Sequence, residues 1–138
     1  MNEQEIVERL NAHRPGFFAM LGGEVVAVDA AGKSCTIMFD IGSEFCHSVD
    51  VVQGGFVTAM LDAAMTHSVF AMAEDIVNLS SLEIKTNYLE ATRAGRLRAE
   101  GMIIKAGYKL AFLEGRLYDA QGVLTATSST VAKLIRKS

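Results

Sequence analysis

The sequence predicts an α+β chain: one long helix wrapped by an antiparallel sheet of five or six strands. Three observations carry that reading. The stretch from Gly54 to about Ala73 is apolar on every side, with Asp62 as its only charged residue. Everything after it reads as strand-like runs separated by short turns. A strand pair joined by Ala31-Gly32-Lys33 precedes it. A helix that is apolar all round must be covered on all sides, and a sheet curled about it does that.

The elements follow in order. Asn2 to Arg14 reads as a short amphipathic helix, with Ile6, Val7 and Leu10 on one side. Pro15-Gly16 stops it, Phe17 to Leu21 form an apolar turn or short helix, and Gly22-Gly23 breaks the chain again. Glu24 to Ala30 and Ser34 to Asp40 make a hairpin. Ile41 to Val52 reads as a loop punctuated by Gly42, Ser43, His47, Ser48 and Asp50. The long helix then spans roughly 30 Å at the α-helical rise. Val77 to Leu89, Gly95 to Lys105, Lys109 to Tyr118 and Val123 to Ile135 follow as strands, expected to form a meander. Residues 1–138 are read as one domain, with 1–21 as an N-terminal helical segment.

Composition narrows the function classes. The 13 basic and 16 acidic residues give a net charge of −3, which argues against a dedicated nucleic-acid binder. Two cysteines without repeated spacing make neither a zinc site nor a disulfide scaffold, so a reduced, cytoplasmic setting is expected. Met1 to Leu10 is polar and acidic, unlike a secretory leader. No apolar run reaches the roughly 18 residues that span a bilayer. The positive mean hydropathy of +0.25 suggests apolar surface covered by a second copy.

The residues with chemical potential cluster around the start of the long helix. Gly54-Gly55 opens it, and first-turn amides have no intrahelical partners. Glycines let a ligand approach those amides, and the helix dipole adds positive potential. Such a turn binds an anion or polarises a carbonyl oxygen, though spacing alone favours a plain glycine turn before a helix. Asp62 is the sharper signal, because an ionised carboxylate among apolar residues is costly unless paired or put to use. It is either functional or a structural Asp bonded to a loop. Thr58, Asp62 and Thr66 form one polar stripe. Asp62 lies about 12 Å along the axis from Gly54, too far to act on the same bond within one subunit unless the ligand is bent over the helix. Two antiparallel copies would bring Gly54 of one beside Asp62 of the other.

Other candidates read two ways. His47 orients a water or substrate, or is a polar loop residue. His67 lies well around the helix from Asp62 and reads as a core or interface histidine. Ser81 interrupts the alternation of its strand, where Leu82, Ile84, Thr86 and Tyr88 are expected to face one way. Its hydroxyl bonds a catalytic water or marks a polar strand edge. Lys105 and Lys109 are ordinary surface charges, unless a pocket mouth uses them to hold a phosphate. No nucleophile elbow, P-loop, dinucleotide fingerprint or metal-ligand spacing is present.

The order of elements and the segment Val51-Val52-Gln53-Gly54-Gly55, continuing to Asp62, resemble the hotdog-fold acyl-CoA thioesterases, in particular the phenylacetate-pathway (PaaI-like) subgroup. The resemblance covers about Phe17 to Ile135. In that family His-Gly-Gly usually opens the central helix, whereas this chain has Gln53-Gly54-Gly55. An Asn or Gln often sits six residues earlier, where this chain has His47.

The resemblance implies hydrolysis of acyl-CoA to free acid and coenzyme A. Gly54 matches the amide that polarises the thioester carbonyl. Asp62 matches the helix carboxylate that is general base or nucleophile, supplied across a dimer. Gln53 and His47 occupy the polar shell, Thr66 matches a hydroxyl one turn beyond the carboxylate, and Ser81 matches a strand hydroxyl near the attacking water. Gly55 flanks the carbonyl site. Phe56, Met60 and Met65 are expected to wall an acyl tunnel, with Lys105 and Lys109 near the nucleotide. No metal and no cofactor beyond the substrate's coenzyme A is expected; the partners are the acyl-CoA and further copies in a homodimer or homotetramer, with no nucleic acid and no membrane. The alternatives are a hotdog hydratase or dehydratase, which needs a His–carboxylate pair, and a non-catalytic acyl-CoA-binding domain.

Overall fold

The computed structural model describes all 138 residues. Helix α1 (Glu3–Ala12) starts where Asn2 Oδ1 accepts from the Glu5 N–H at 2.8 Å, so Asn2 caps the helix from outside it. Pro15 precedes the short α2 (Gly16–Leu21), which buries Phe18 and Leu21 and ends at Gly22 in the left-handed region. Strands β1 (Glu24–Asp29) and β2 (Ser34–Ile41) form the expected hairpin. The segment expected as plain loop contains a 3₁₀ turn at Ser43–Phe45 and two isolated bridges, Cys46 to Val52 and Val51 to Arg93. Helix α3 (Gly54–Met72) follows, then β3 (Ile76–Tyr88), β4 (Gly95–Ala106), β5 (Leu110–Tyr118) and β6 (Leu124–Arg136).

All pairs are antiparallel, in the order β1-β2-β4-β5-β6-β3. The expectation of one meander over the last four strands is corrected here: β4, β5 and β6 form it, but β3 pairs with β6. A sheet wrapped around a largely apolar helix needs strands on both flanks. β3 covers one flank of α3, and the chain then crosses the helix N-terminus to enter β4 beside β2. That crossing is tied down by Val52 N–H to Thr92 O at 2.8 Å and Ala94 N–H to Asp50 O at 2.8 Å.

The core lies between α3 and the sheet. Val57, Met60, Leu61, Ala64 and Met65 face inward, against Ile37, Phe39, Leu97, Leu113 and Leu117. Gly101 on β4 lets the helix backbone rest directly on the sheet, since a Cβ there would overlap the Ala64 carbonyl. Both cysteines are free thiols, and burial pushes that of Cys35 up to about 12. No helix is long and apolar enough to cross a membrane.

The two sheet edges differ. At the β1 edge the Asn11 side chain takes both backbone groups of Val25, accepting from its N–H at 2.9 Å and donating to its carbonyl at 2.8 Å. Helix α1 thus plugs that edge. The β3 edge runs 13 residues with no cover. β3 also carries a bulge between Ser81 and Glu83. The expectation that Leu82 shares a face with Ile84, Thr86 and Tyr88 is therefore corrected. The bulge shifts the alternation by one residue, so Leu82 is 60% exposed while Leu79 and Ile84 both pack on the core.

Candidate active site

The N-terminus of α3 is assembled from three directions. Gln53 is its N-cap in an extended conformation, held by its N–H to Phe45 O at 2.9 Å. Its side-chain Oε1 accepts from the Gly55 N–H at 2.7 Å. The Gly54 N–H has no acceptor in the chain. Tyr88, at the end of β3, lies against Gly54: its hydroxyl donates to Gly54 O at 2.9 Å. A Cβ at Gly54 would meet that hydroxyl at 3.1 Å, so the glycine is a condition of the close approach. A groove of about 620 Å³ opens here, lined among others by His47, Gln53, Gly54, Gly55, Tyr88 and Glu90.

A row of hydroxyls continues from Tyr88 between α3 and β3. Thr58 Oγ1 lies 3.0 Å from the Tyr88 hydroxyl and 2.9 Å from Thr86 Oγ1. Thr86 is in turn 3.3 Å from Ser128 Oγ, which donates to Lys85 O at 3.0 Å. One turn beyond Thr58, half-buried Asp62 faces β3, where Ser81 donates to its Oδ1 at 3.2 Å. Burial holds the Asp62 carboxyl above the usual Asp range, and the Ser81 hydrogen bond pulls partly the other way.

The remaining sequence candidates are placed as follows. Thr66 turns its hydroxyl into its own helix, donating to Asp62 O at 3.0 Å and Ala63 O at 3.2 Å. His47 is exposed at the groove rim, with Nδ1 3.1 Å from Ser48 Oγ. Phe56 is half-buried, edge-on to Phe45 at 4.9 Å. Met60 and Met65 are sealed in the core, beneath the helix. Lys105 and Lys109 are exposed around the β4–β5 turn. Register places that turn level with Ser81, since Ala106 pairs with Ala111, Ala111 with Ala132 and Ala132 with Ser81. The structure thus groups Gln53, Gly54, Gly55 and His47 at one end of the α3–β3 seam, and Asp62, Ser81 and Thr66 further along it.

His67 is a core histidine, as expected. Its Nδ1–H donates to Ala63 O at 2.8 Å, and burial lowers its imidazole below the usual range. It lines a second cleft of about 400 Å³ at the far end of α3, with Arg9, Leu10 and Phe70. Tyr88 is the residue that sequence reading missed. Its signal was a phenol two residues from Thr86 on one strand face, closing a strand that ends beside the helix glycines.

A model of the thioesterase superfamily matches residues 50–126, from before the Gly-Gly turn to within β6. A candidate thioesterase of Ralstonia eutropha JMP134, described as phenylacetic acid degradation-related, is 30% identical. The alignment covers 96% of this chain and 99% of that one, with a TM-score of 0.84. The chain belongs to the thioesterase superfamily. It is a PaaI-like thioester hydrolase with the hotdog fold. Two further structures share the fold. A thioesterase family protein of Silicibacter pomeroyi is 19% identical, covering 97% of this chain and 98% of that one, at a TM-score of 0.83. The PaaI protein of the Escherichia coli phenylacetic acid degradation operon is 14% identical, covering 97% and 96%, at 0.82. A comparison with curated proteins finds no match. The seam between α3 and β3 holds both the free Gly54 amide and the half-buried Asp62 carboxylate.

Proposed function

We propose that this hydrolase acts on acyl-CoA thioesters at a site shared by two copies of the chain. The observation that carries the reading is the placement of Gly54 and Asp62. Both lie on the stripe of α3 that faces β3, separated by about 12 Å of helix axis. One thioester cannot touch both in one subunit. The β3 edge beside them is unpaired while the β1 edge is plugged by Asn11. Antiparallel pairing of two β3 edges, centred between Ile84 and Lys85, would set Ser81 of one copy opposite Tyr88 of the other. That would bring Asp62 of one protomer to the Gly54 amide of its partner. An open edge that templates pairing is otherwise a liability.

In this mechanism the thioester oxygen accepts from the Gly54 N–H at the positive end of α3. Asp62 takes a proton from water as the water oxygen bonds to the carbonyl carbon. The tetrahedral intermediate collapses, the C–S bond breaks, and the coenzyme A thiolate leaves with the acyl group as free acid. In the alternative route Asp62 attacks directly, and water cleaves the resulting anhydride. A half-buried carboxyl with a raised pKa is the stronger base. Ser81 holds it in place. Gln53 and His47 form the polar rim, Gly55 borders the carbonyl site, Phe56 borders the acyl group, and Lys105 and Lys109 serve the nucleotide phosphates. The reading asks for no metal and no further cofactor.

A hydratase reading needs a His–carboxylate pair; within one chain neither His47 nor His67 bonds Asp62, and product analysis separates the two, since a hydratase alters unsaturation without releasing thiol. The test is thiol release from a panel of aliphatic and aromatic acyl-CoAs, wild type beside Asp62→Asn. Hydrolysis lost in the variant supports the reading. Tight acyl-CoA binding with no thiol release sinks it in favour of a binding domain.

A further inference from the structure

The Gly54–Gly55 peptide is bonded at both of its polar ends by side chains. Its carbonyl accepts from the Tyr88 hydroxyl at 2.9 Å, and its N–H donates to Gln53 Oε1 at 2.7 Å. The preceding peptide is held as well, since Gln53 O accepts from Phe56 N–H at 3.0 Å and Val57 N–H at 3.3 Å. Two consecutive glycines at a helix start are otherwise pliable backbone. We propose that Tyr88 and Gln53 act as a clamp on this peptide that fixes the direction of the one free amide, Gly54 N–H, and that Tyr88 is a positioning residue of the hydrolase. The inference rests on the thioester-hydrolysis reading.

The hydroxyl row gives the clamp a defined polarity. Each hydroxyl has one proton to donate. Tyr88 gives its proton to Gly54 O, so the contact with Thr58 requires Thr58 to donate to Tyr88. Thr58 has then spent its proton, so Thr86 must donate to Thr58. The row therefore runs Thr86 to Thr58 to Tyr88 to Gly54 O, each step 3.0 Å or less. Three hydroxyls aligned on one carbonyl polarise one another and strengthen the last bond. The clamp also restricts what the turn offers a ligand. Gly55 N–H is consumed by Gln53, so the substrate carbonyl meets the Gly54 amide alone. Because Gln53 Oε1 is engaged, the side chain can present only its Nε2 donors to the groove. That suits an oxygen that gains negative charge, and it gives Gln53 a role suited to the place where the family usually has His.

The test combines kinetics with backbone dynamics. Tyr88→Phe keeps the ring and removes only the hydroxyl. Its kcat is expected to fall about tenfold with KM within about twofold, the pattern of an interaction used in the transition state. Amide hydrogen exchange at Gly55 is expected to speed up, read by NMR on the full chain without substrate. Thr58→Val should move both readouts in the same direction, and Thr58→Ser, which keeps the hydroxyl, should restore both. A purely structural role would lower the melting temperature and leave kcat in place. Wild-type kcat in Tyr88→Phe, or unchanged Gly55 exchange, would overturn the clamp. Failure of the wild type to release thiol from any acyl-CoA would sink the hydrolysis reading instead, and the exchange arm would still decide the clamp.

Discussion

Ser81 reaches Asp62, at 3.2 Å, because the strand that carries it is one residue out of step. The bulge between Ser81 and Glu83 turns Ser81 toward α3 and leaves Leu82 outside. Burial and this hydrogen bond act on Asp62 in opposite directions, burial being the larger. Removing the bond in Ser81→Ala leaves burial unopposed, so the carboxyl rises further. A general base works when ionised, and activity falls as pH drops through its pKa. The acid limb of kcat/KM should therefore move to higher pH in Ser81→Ala, with activity near neutral pH within about tenfold of wild type. A pH–rate profile with an unmoved acid limb would show that Ser81 does not act on the base.

Asp62, the proposed base, is expected to cost stability. Its folded-state pKa is raised above the unfolded value of about 3.9. For such a group the stabilising contribution is fully present below the unfolded pKa and is lost as pH rises through the folded one. At neutral pH the wild type carries a half-buried charge that Asp62→Asn lacks. The variant should lose at least about a hundredfold in turnover. It should also melt higher than wild type at neutral pH, with the gap closing in acid. Thermal melts of the two proteins across pH check this, and a lower-melting variant at neutral pH would refute it.

Gly101 sets the distance between helix and sheet. A Cβ there overlaps the Ala64 carbonyl, which is backbone and has no rotamer to escape into. Gly101→Ala should destabilise the fold by about 3 kcal/mol, at the upper end of overpacking costs, by lifting α3 from β4. Gly122→Ala is the natural comparison, since Gly122 has positive φ but open space around it. It should lose only about 1 kcal/mol. Denaturant unfolding of both variants measures the difference.

The helix and the strand runs were legible because their patterns are local. An apolar stretch with one carboxylate can only be a buried helix, and alternation with short turns marks strands. The position of β3 was not legible, because pairing with β6 instead of β4 is decided by how a sheet closes around α3. The bulge was half legible. Ser81 breaks the alternation in the sequence, but only the register shows that Leu82, not Ser81, is the residue displaced. Asp62 stood out as the lone charge of an apolar helix and Gly54 as part of its opening glycine pair, whereas Gln53 stood out only against the His of the resembled family. Tyr88 did not, because an aromatic residue in a strand is ordinarily core, and its hydroxyl matters only once the end of β3 is known to lie beside Gly54.

The proposed shared site has a test that depends on its symmetry. Asp62→Asn removes the carboxylate and leaves the amide. Gly54→Ala leaves the carboxylate and disturbs the amide, because the new Cβ presses on the Tyr88 hydroxyl. Each variant alone should be nearly inactive, since every site in its homodimer carries the lesion. In a two-fold dimer, mixing and re-pairing the variants makes half of the dimers mixed. Each mixed dimer has one site with both lesions and one with neither, so the mixture should recover about a quarter of wild-type activity. A site contained within one protomer would recover nothing, because each chain would bring its own lesion to its own site. Subunit exchange can be followed by native mass spectrometry on differently tagged chains. Formation of mixed dimers without any activity would place the chemistry within a single chain.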